Sequence, residues 1–198
     1  SDSHERDGAT YSLREILNHS SNVGISLASY NAGFDKLNDA IKRYHLTEAT
    51  GIDYPGEGSG SVLDFSKWGR ITGYNISFGQ GISVTPLQMV RFYGAIANDG
   101  VMVTPHFLIA KTQSGEVPTY HEETVTEDAE ALRDLRSMLR SVVTDGTGVK
   151  ADIPGYEVCG KTSTAEIASE EGGYKQEVYN LGFCGFIDNS SSKLVCFV

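Results

Sequence analysis

One stretch of sequence decides the fold of this chain: Val158-Cys159-Gly160-Lys161-Thr162-Ser163-Thr164-Ala165. Its apolar and β-branched residues favour a strand, and successive side chains of a strand point to opposite faces. Lys161 and Ser163 therefore share one face, while Thr162 and Thr164 share the other. A lysine beside threonine hydroxyls is suited to a carboxylate, because the ammonium supplies charge and the hydroxyls supply directed hydrogen bonds. The stretch predicts a strand that presents a binding site.

Two segments ahead of this stretch carry further motifs. They are Leu17-Asn18-His19-Ser20-Ser21-Asn22-Val23-Gly24 and Phe78-Gly79-Gln80-Gly81-Ile82-Ser83-Val84-Thr85-Pro86-Leu87-Gln88-Met89. Ser20-Ser21-Asn22 resembles the S-x-N box of penicillin-recognising serine transpeptidases and β-lactamases, and Lys161-Thr162-Ser163 resembles their K-T-G box. The other segment resembles the G-x-G-x-x-V-T-P-L-Q segment of class B (monofunctional) penicillin-binding proteins. Order, spacing and local context agree over nearly the whole chain, which resembles an internal piece of that family's transpeptidase domain.

The sequence departs from the family pattern in two places. No serine followed three residues later by lysine precedes Ser20, where the family keeps its nucleophile, so we expect the acylating serine to lie outside this chain. Residues 1–198 would then be a partial transpeptidase (penicillin-binding) domain that lacks the S-x-x-K segment and the family's C-terminal helix. The second departure is Ser163, where the family usually has glycine. Its hydroxymethyl group either crowds the substrate or adds one hydrogen bond.

The resemblance implies that Ser20, Asn22 and Lys161 are catalytic. In acyl transfer from a D-alanyl-D-alanine peptide, a serine loses a proton, an oxyanion is stabilised and the leaving amine is protonated. By resemblance, Ser20 relays a proton to the leaving nitrogen, Asn22 orients the S-x-x-K lysine and the substrate amide, and Lys161 supplies positive charge. Without the resemblance, Ser20 and Asn22 are typical helix-cap residues, and Lys161 is typical of a solvated edge strand.

By the same resemblance, Thr162, Ser163 and Thr164 bind substrate. The two threonine hydroxyls hydrogen-bond the substrate carboxylate, and the backbone amide of Thr164 is one donor of the oxyanion hole. Taken alone, both threonines are simply good strand formers. The resemblance implies neither a metal nor a cofactor.

Two functions of different classes fit this pattern. In the first, the parent protein is a peptidoglycan D,D-transpeptidase that cross-links stem peptides, is acylated by β-lactam antibiotics and works with cell-wall assembly proteins. In the second, the parent is a non-catalytic scaffold or binding module of a cell-wall assembly. A penicilloyl-sensing receptor or a serine β-lactamase is disfavoured, because the long interval from Ser20 to Lys161 and the V-T-P-L-Q segment resemble class B proteins. The resemblance also implies the extracytoplasmic face of the bacterial cell membrane, with the anchor outside this chain.

Composition argues against several other classes. The 198 residues have a formal net charge of -10 and a sequence pI near 4.9, whereas a surface for nucleic acid or anionic membrane needs clustered Lys and Arg. No apolar run approaches the ~20 residues of a membrane-spanning helix. Cys159, Cys184 and Cys196 match no zinc spacing and lie in apolar strand-like runs. We therefore expect free thiols buried in the core.

Periodicity and cap residues predict an α+β fold, an antiparallel sheet flanked by helices and incomplete at both ends. The predicted helices begin at the Ser12 capping box, cover 23–30 and 34–44, run from Thr85-Pro86 to 97, and cover 126–144. The predicted strands cover 157–167, 179–187 and 193–198, with a Gly172-Gly173 loop joining the first two. The family has two further strands and a C-terminal helix on this sheet. We therefore expect the isolated chain to be marginally stable, with exposed strand edges that favour self-association.

Overall fold

A computed structural model describes residues 10–168 and 174–198. The helices are α1 (Leu13–His19), α2 (Asn22–Ala32), α3 (Phe34–Arg43), α4 (Arg70–Ser77), α5 (Pro86–Ala97) and α6 (Ala129–Asp145). The strands are β1 (Ser61–Val62), β2 (Ile82–Ser83), β3 (Val101–Val103), β4 (Glu122–Thr124), β5 (Val158–Ala168), β6 (Tyr174–Ile187) and β7 (Val195–Phe197). In the two described ranges, no helix is both long and apolar enough to cross a membrane.

Strands β5, β6 and β7 form an antiparallel sheet in that order, which confirms the predicted α+β class. Lys161 lies opposite Cys184, and Thr162 lies opposite Phe183. Among the described residues, β5 pairs with β6 alone, so the other edge of β5 is free. The predicted Gly172-Gly173 loop lies outside the described residues.

One face of this sheet packs against α5 and α6. The buried core joins three residues of the sheet to five of the two helices: Cys159, Cys184, Phe186, Tyr93, Ile96, Ala97, Leu132 and Leu139. All three cysteines are free thiols, and Cys159 and Cys184 are buried as predicted. The prediction was wrong for Cys196, which is exposed. Cys196 lies opposite Gly185, and because faces alternate along a strand, this pair is on the side of the sheet away from α5 and α6.

Two of the predicted helix starts are confirmed by side-chain caps. Ser12 and Glu15 form a capping box at the start of α1, and Thr85 and Gln88 form another at the start of α5. Gln88 is buried, and its Nε2 donates to two main-chain carbonyls of the loops before β1, at 2.6 and 2.7 Å. The same side chain therefore caps α5 and fixes it to the preceding loops.

Helix α4 and the two-stranded ribbons β1–β2 and β3–β4 were not predicted from the sequence. Helix α4 begins after Gly69 without a side-chain cap and contains Gly73. A Cβ at Gly73 would lie 2.4 Å from the ring of Phe34. Close packing against α3 thus requires glycine at position 73, and glycine is unfavourable in helices. This glycine weakens the helical pattern of the sequence.

Polar contacts fix helix α1 against helix α6. Arg14 donates to the main-chain oxygen of Ser137 at 2.8 Å and to its Oγ at 3.0 Å. Ser141 Oγ is hydrogen-bonded to Asn18 Oδ1 at 2.7 Å, and the main-chain oxygen of Asn18 accepts from Thr147 N at 3.1 Å. Because α6 also packs on β5, these contacts position the end of α1 relative to the sheet.

We predict that Gly146→Ala disturbs this arrangement. An added Cβ would lie 2.8 Å from Asn18 O and 2.9 Å from Asn18 Cα, and overpacking of this kind costs about 1–3 kcal/mol. Urea denaturation of residues 1–198 measures the loss. Gly94→Ala is the matched control, because Gly94 lies inside α5 with open space for a Cβ and should gain about 0.5–1 kcal/mol. A gain in both variants would contradict the close approach of residue 146 to α1.

Candidate active site

The side chains of Ser20 and Lys161, 141 positions apart in sequence, are in contact. Lys161 Nζ donates to Ser20 Oγ at 2.9 Å and to the main-chain oxygen of Thr162 at 3.0 Å. Thr162 Oγ1 lies 3.4 Å from the same nitrogen. Two of the motifs found in the sequence therefore meet in one cluster.

Ser20 has a left-handed backbone conformation, with φ 52° and ψ 45°. It closes α1 with the hydrogen bonds of a Schellman motif, from Ser20 N to Leu17 O and from Ser21 N to Ile16 O. Glycine is the usual residue at this position, because a Cβ costs roughly 1–2 kcal/mol in the left-handed region. A serine at such a position suggests a use for its side chain, and the contact with Lys161 is consistent with one.

Burial lowers the pKa of Lys161 from its ordinary value of 10.5 to about 8. The side chain leaves β5 on the face that also carries the buried Cys159, so the helices packed on that face shield it from water. A lysine with this pKa is mostly protonated at neutral pH but gives up its proton more readily than an exposed lysine. It can therefore both hold Ser20 Oγ and exchange a proton with it.

The main-chain groups of Thr162 and Thr164 point to the free edge of β5. Phe183, opposite Thr162, makes both of its main-chain hydrogen bonds with Val198, at 3.0 and 2.9 Å. Hydrogen-bonded and non-hydrogen-bonded positions alternate along an antiparallel pair, so Thr162 and Thr164 are in non-hydrogen-bonded positions relative to β6. Their N–H groups are therefore available at the edge, beside the Lys161 ammonium.

The hydroxyl groups of β5 are divided between its two faces. Thr162 is half-buried, whereas Ser163 and Thr164 are exposed. Ser163 lies opposite Gly182, and a Cβ at Gly182 would lie 2.8 Å from Ser163 Oγ. The Ser163 hydroxyl therefore leans over β6, in space left by a glycine, on the face that it shares with Lys161.

Asn22 begins helix α2 and lines a groove between α2 and α4 of about 340 Å³. The other lining residues are Val23, Ser26, Leu27, Tyr74 and Phe78. Among the described residues, Asn22 makes no direct hydrogen bond to Ser20 or Lys161. The structure therefore brings Ser20, Lys161 and Thr162 into contact, whereas it places Asn22, two residues after Ser20, in the groove between α2 and α4.

Thr147, which the sequence did not single out, also contacts the site. Its Oγ1 lies 2.7 Å from Thr162 Oγ1, and its N–H donates to the main-chain oxygen of Asn18. In the sequence, Asp145-Gly146-Thr147-Gly148 indicates only the end of a helix. No local pattern links this loop to residue 162, because the contact depends on the packing of α6 on β5.

Other candidate nucleophiles are poorly placed. Burial raises the pKa of Cys159 and of Cys184 to about 12, so both thiols are protonated at neutral pH. The S-x-x-K spacing from Ser190 to Lys193 lies in the turn after β6, where Ser190 Oγ accepts a hydrogen bond from Ser192 N. In residues 10–168 and 174–198, no group of three or more His, Cys, Asp or Glu residues is arranged to hold a metal ion.

The chain is similar to known proteins of one family. Residues 1–198 match the family described as penicillin binding protein transpeptidase domain. Penicillin-binding protein PbpB of Mycobacterium tuberculosis is 35% identical over 207 residues, which cover 98% of this chain and 30% of that protein. Peptidoglycan D,D-transpeptidase FtsI of Escherichia coli is 34% identical over 173 residues, covering 85% of this chain and 28% of that protein. The chain thus spans less than a third of the length of these curated relatives.

The structural similarity points the same way. A crystal structure of penicillin binding protein 3 from Mycobacterium tuberculosis, complexed with aztreonam, has a TM-score of 0.86 and 34% sequence identity to this chain. The match covers 94% of this chain and 44% of that one. Both the sequence and the three-dimensional arrangement of the chain are therefore similar to the same group of proteins.

We predict that Lys161 makes the free energy of unfolding rise with pH between about pH 8 and pH 10.5. The folded state binds this proton less tightly than the unfolded chain, whose lysine pKa is 10.5. In that interval the unfolded state holds more protons, so stability increases with pH. Lys161→Met removes this contribution. The free energy of unfolding of the variant, relative to that of wild type, should therefore be lower at pH 10 than at pH 7.

Chemical denaturation of residues 1–198 at these two pH values measures the difference. Lys36→Met, which replaces an exposed lysine of α3, is the control and should differ from wild type by the same amount at both. The lowered pKa of Lys161 would be contradicted if the free energy of unfolding of Lys161→Met, relative to wild type, were the same at pH 7 and pH 10 or higher at pH 10.

Proposed function

The chain belongs to the penicillin-binding protein transpeptidase domain family, and from this we propose that the protein carrying it is a peptidoglycan D,D-transpeptidase. It forms cross-links by serine acyl transfer from a D-alanyl-D-alanine stem peptide, and β-lactam antibiotics acylate the same serine. The observation that supports this most directly is the contact of Ser20 with Lys161 beside the free edge of β5.

Ser20 and Lys161 act in proton transfer. The tetrahedral intermediate of acyl transfer breaks down when the leaving nitrogen gains a proton, which a positioned acid provides. Ser20 Oγ gives its proton to that nitrogen and receives one along the hydrogen bond from Lys161 Nζ, 2.9 Å away. The lowered pKa of Lys161 reduces the cost of this transfer. Asn22, at the start of α2, orients the amide of the substrate.

The strand β5 binds the acyl donor. The ammonium of Lys161 and the hydroxyls of Thr162 and Thr164 receive its carboxylate, which pairs a charge with directed donors. The N–H of Thr164 points to the free edge of β5 and donates to the oxyanion of the intermediate. Oxyanion donors act best when they are held in place before the reaction, and a main-chain amide in a paired strand meets that condition.

The acylating serine belongs to a part of the protein outside residues 1–198. No S-x-x-K motif precedes Ser20, and the chain corresponds to only 30% of its relative PbpB. To exchange a proton with a group of this site, the acylating serine must come within about 3 Å of that group, so the segment that carries the serine must pack against the site. Residues 1–198 are then one part of a larger transpeptidase domain and are inactive alone.

Peptidoglycan stem peptides and β-lactams are the proposed ligands. The similar penicillin binding protein 3 of Mycobacterium tuberculosis has been crystallised in complex with aztreonam, and the relative FtsI is named a peptidoglycan D,D-transpeptidase. Peptidoglycan is assembled outside the cell membrane, so we place the protein at the extracytoplasmic face, together with other cell-wall assembly proteins.

In the full-length protein, we predict that Ser20→Gly lowers the rate of labelling by a fluorescent penicillin at least about 100-fold, the size of a general acid–base effect. Glycine suits the left-handed conformation of residue 20, so the variant loses the hydroxyl without introducing backbone strain. Lys193→Gly is the matched control, because Lys193 also has a positive φ, 47°, but lies in the turn after β6. It should be labelled at the wild-type rate.

Residues 1–198 alone supply the negative control and should form no penicilloyl adduct detectable by intact mass. An adduct on this chain would mean that the nucleophile lies within it. Absence of labelling in the wild-type full-length protein, or undiminished labelling of Ser20→Gly, would overturn the proposed function.

We also predict that Ser163→Gly raises the rate of acylation in the full-length protein. The hydroxymethyl group shares a face with Lys161 and crowds the approach of the ligand, at a cost of about 1 kcal/mol, which corresponds to roughly fivefold in rate. Stopped-flow acylation kinetics with a chromogenic cephalosporin measure the change. An unchanged or lower rate would instead favour a productive hydrogen bond from the Ser163 hydroxyl.

A further inference from the structure

We propose that Thr147 is a positioning residue that orients the hydroxyl of Thr162 toward the carboxylate of the acyl donor. The inference rests on the proposed function, since it concerns how that carboxylate is held. It starts from the 2.7 Å contact between Thr147 Oγ1 and Thr162 Oγ1, which joins the loop after α6 to strand β5.

The loop that carries Thr147 is held by its main chain. Gly146 N and Gly148 N both donate to Val142 O, at 3.1 and 2.9 Å, and Thr147 N donates to Asn18 O at 3.1 Å. Gly146 also lies so close to Asn18 that a Cβ there would be 2.8 Å from its carbonyl oxygen. The backbone of residue 147 is thus fixed against α1 and α6, and its exposed side chain is directed to Thr162.

The chemistry of the ligand sets the direction of the hydroxyl contact. A threonine hydroxyl donates one hydrogen and accepts up to two, whereas a carboxylate only accepts. When Thr162 donates its hydrogen to a carboxylate, it must accept from Thr147, so Thr147 Oγ1 becomes the donor. Lys161 Nζ, 3.4 Å from Thr162 Oγ1, approaches the same oxygen. Both neighbours then act as donors, which leaves the Thr162 hydrogen for the ligand and strengthens its donation.

The same loop links the two halves of the site. Asn18 accepts from Thr147 N, is held through its side chain by Ser141, and lies two residues before Ser20. The loop at the end of α6 therefore contacts both halves of the site. It contacts the end of α1, which carries Ser20, through Asn18, and it contacts strand β5 through Thr162. Thr147 is the member of this arrangement whose side chain reaches the ligand-binding hydroxyl.

The test is a double-mutant cycle in the full-length protein, with benzylpenicillin as the carboxylate-bearing probe. Thr147→Val removes the donor and keeps the shape, and should lower the second-order acylation rate constant about threefold to tenfold, the worth of one hydrogen bond. The loss should lie in the initial binding constant rather than in the acylation step. Thr147→Ser, which restores the hydroxyl, should recover the wild-type rate within about twofold.

The cycle separates positioning from a merely structural role. In a Thr162→Val background, Thr147→Val should have no further effect, because its partner hydroxyl is already absent. The inference is overturned if Thr147→Val lowers the acylation rate constant as much in the Thr162→Val background as in wild type, or if it does not lower the rate constant in wild type. If Thr147→Val lowers the melting temperature, Thr147→Ala replaces it, since the side chain is exposed and its removal leaves no buried cavity. Failure of the wild-type protein to be acylated would instead refute the proposed function.

Discussion

The hydrogen bond from Lys161 Nζ to Ser20 Oγ is the interaction on which the rest of the site depends. It joins the end of a short helix to a sheet strand 141 positions later, so it exists only when both are held in register. The ammonium is shielded enough to lower its pKa to about 8, and a desolvated charge needs partners. Ser20 Oγ and the main-chain oxygen of Thr162 are those partners. The site therefore stabilises its own lysine through the groups that we propose to act in the reaction.

Helix α6 transmits this constraint between the two halves of the site. Its side chains Ser137 and Ser141 hold α1, while its apolar face packs on β5. The loop at its end then reaches both Asn18 and Thr162 through Thr147. A single rigid element thus sets the distance between α1 and the sheet. This explains why the close approach at Gly146 matters, since a shift there moves Ser20 relative to Lys161.

Local interactions made most of the fold predictable, and tertiary ones did not. The capping boxes at Ser12 and Thr85 place helix starts within one residue, because all of their hydrogen bonds are local in sequence. Helix α4 has no side-chain cap and contains Gly73, which its packing against Phe34 requires, so the sequence carries no signal for it. The exposure of Cys196 follows from which face of β7 the helices cover, and the role proposed for Thr147 follows from where α6 ends. For the site, the resemblance identified Ser20 and Lys161 in the sequence. Only the structure identified Thr147 as a contact of the site.

The free edge of β5 is normally a liability, because unpaired strand edges invite association with other chains. The unpaired main-chain groups that expose this edge to association are the same groups that the proposed function uses. The N–H groups of Thr162 and Thr164 point outward because Phe183 bonds to Val198 instead, and outward amides are what an oxyanion or an extended peptide requires. Lysine is also among the residues that protect edges from unwanted pairing, since burying its charge is costly. In the proposed function, Lys161 opposes pairing of this edge with other strands, while its charge attracts the carboxylate of the ligand.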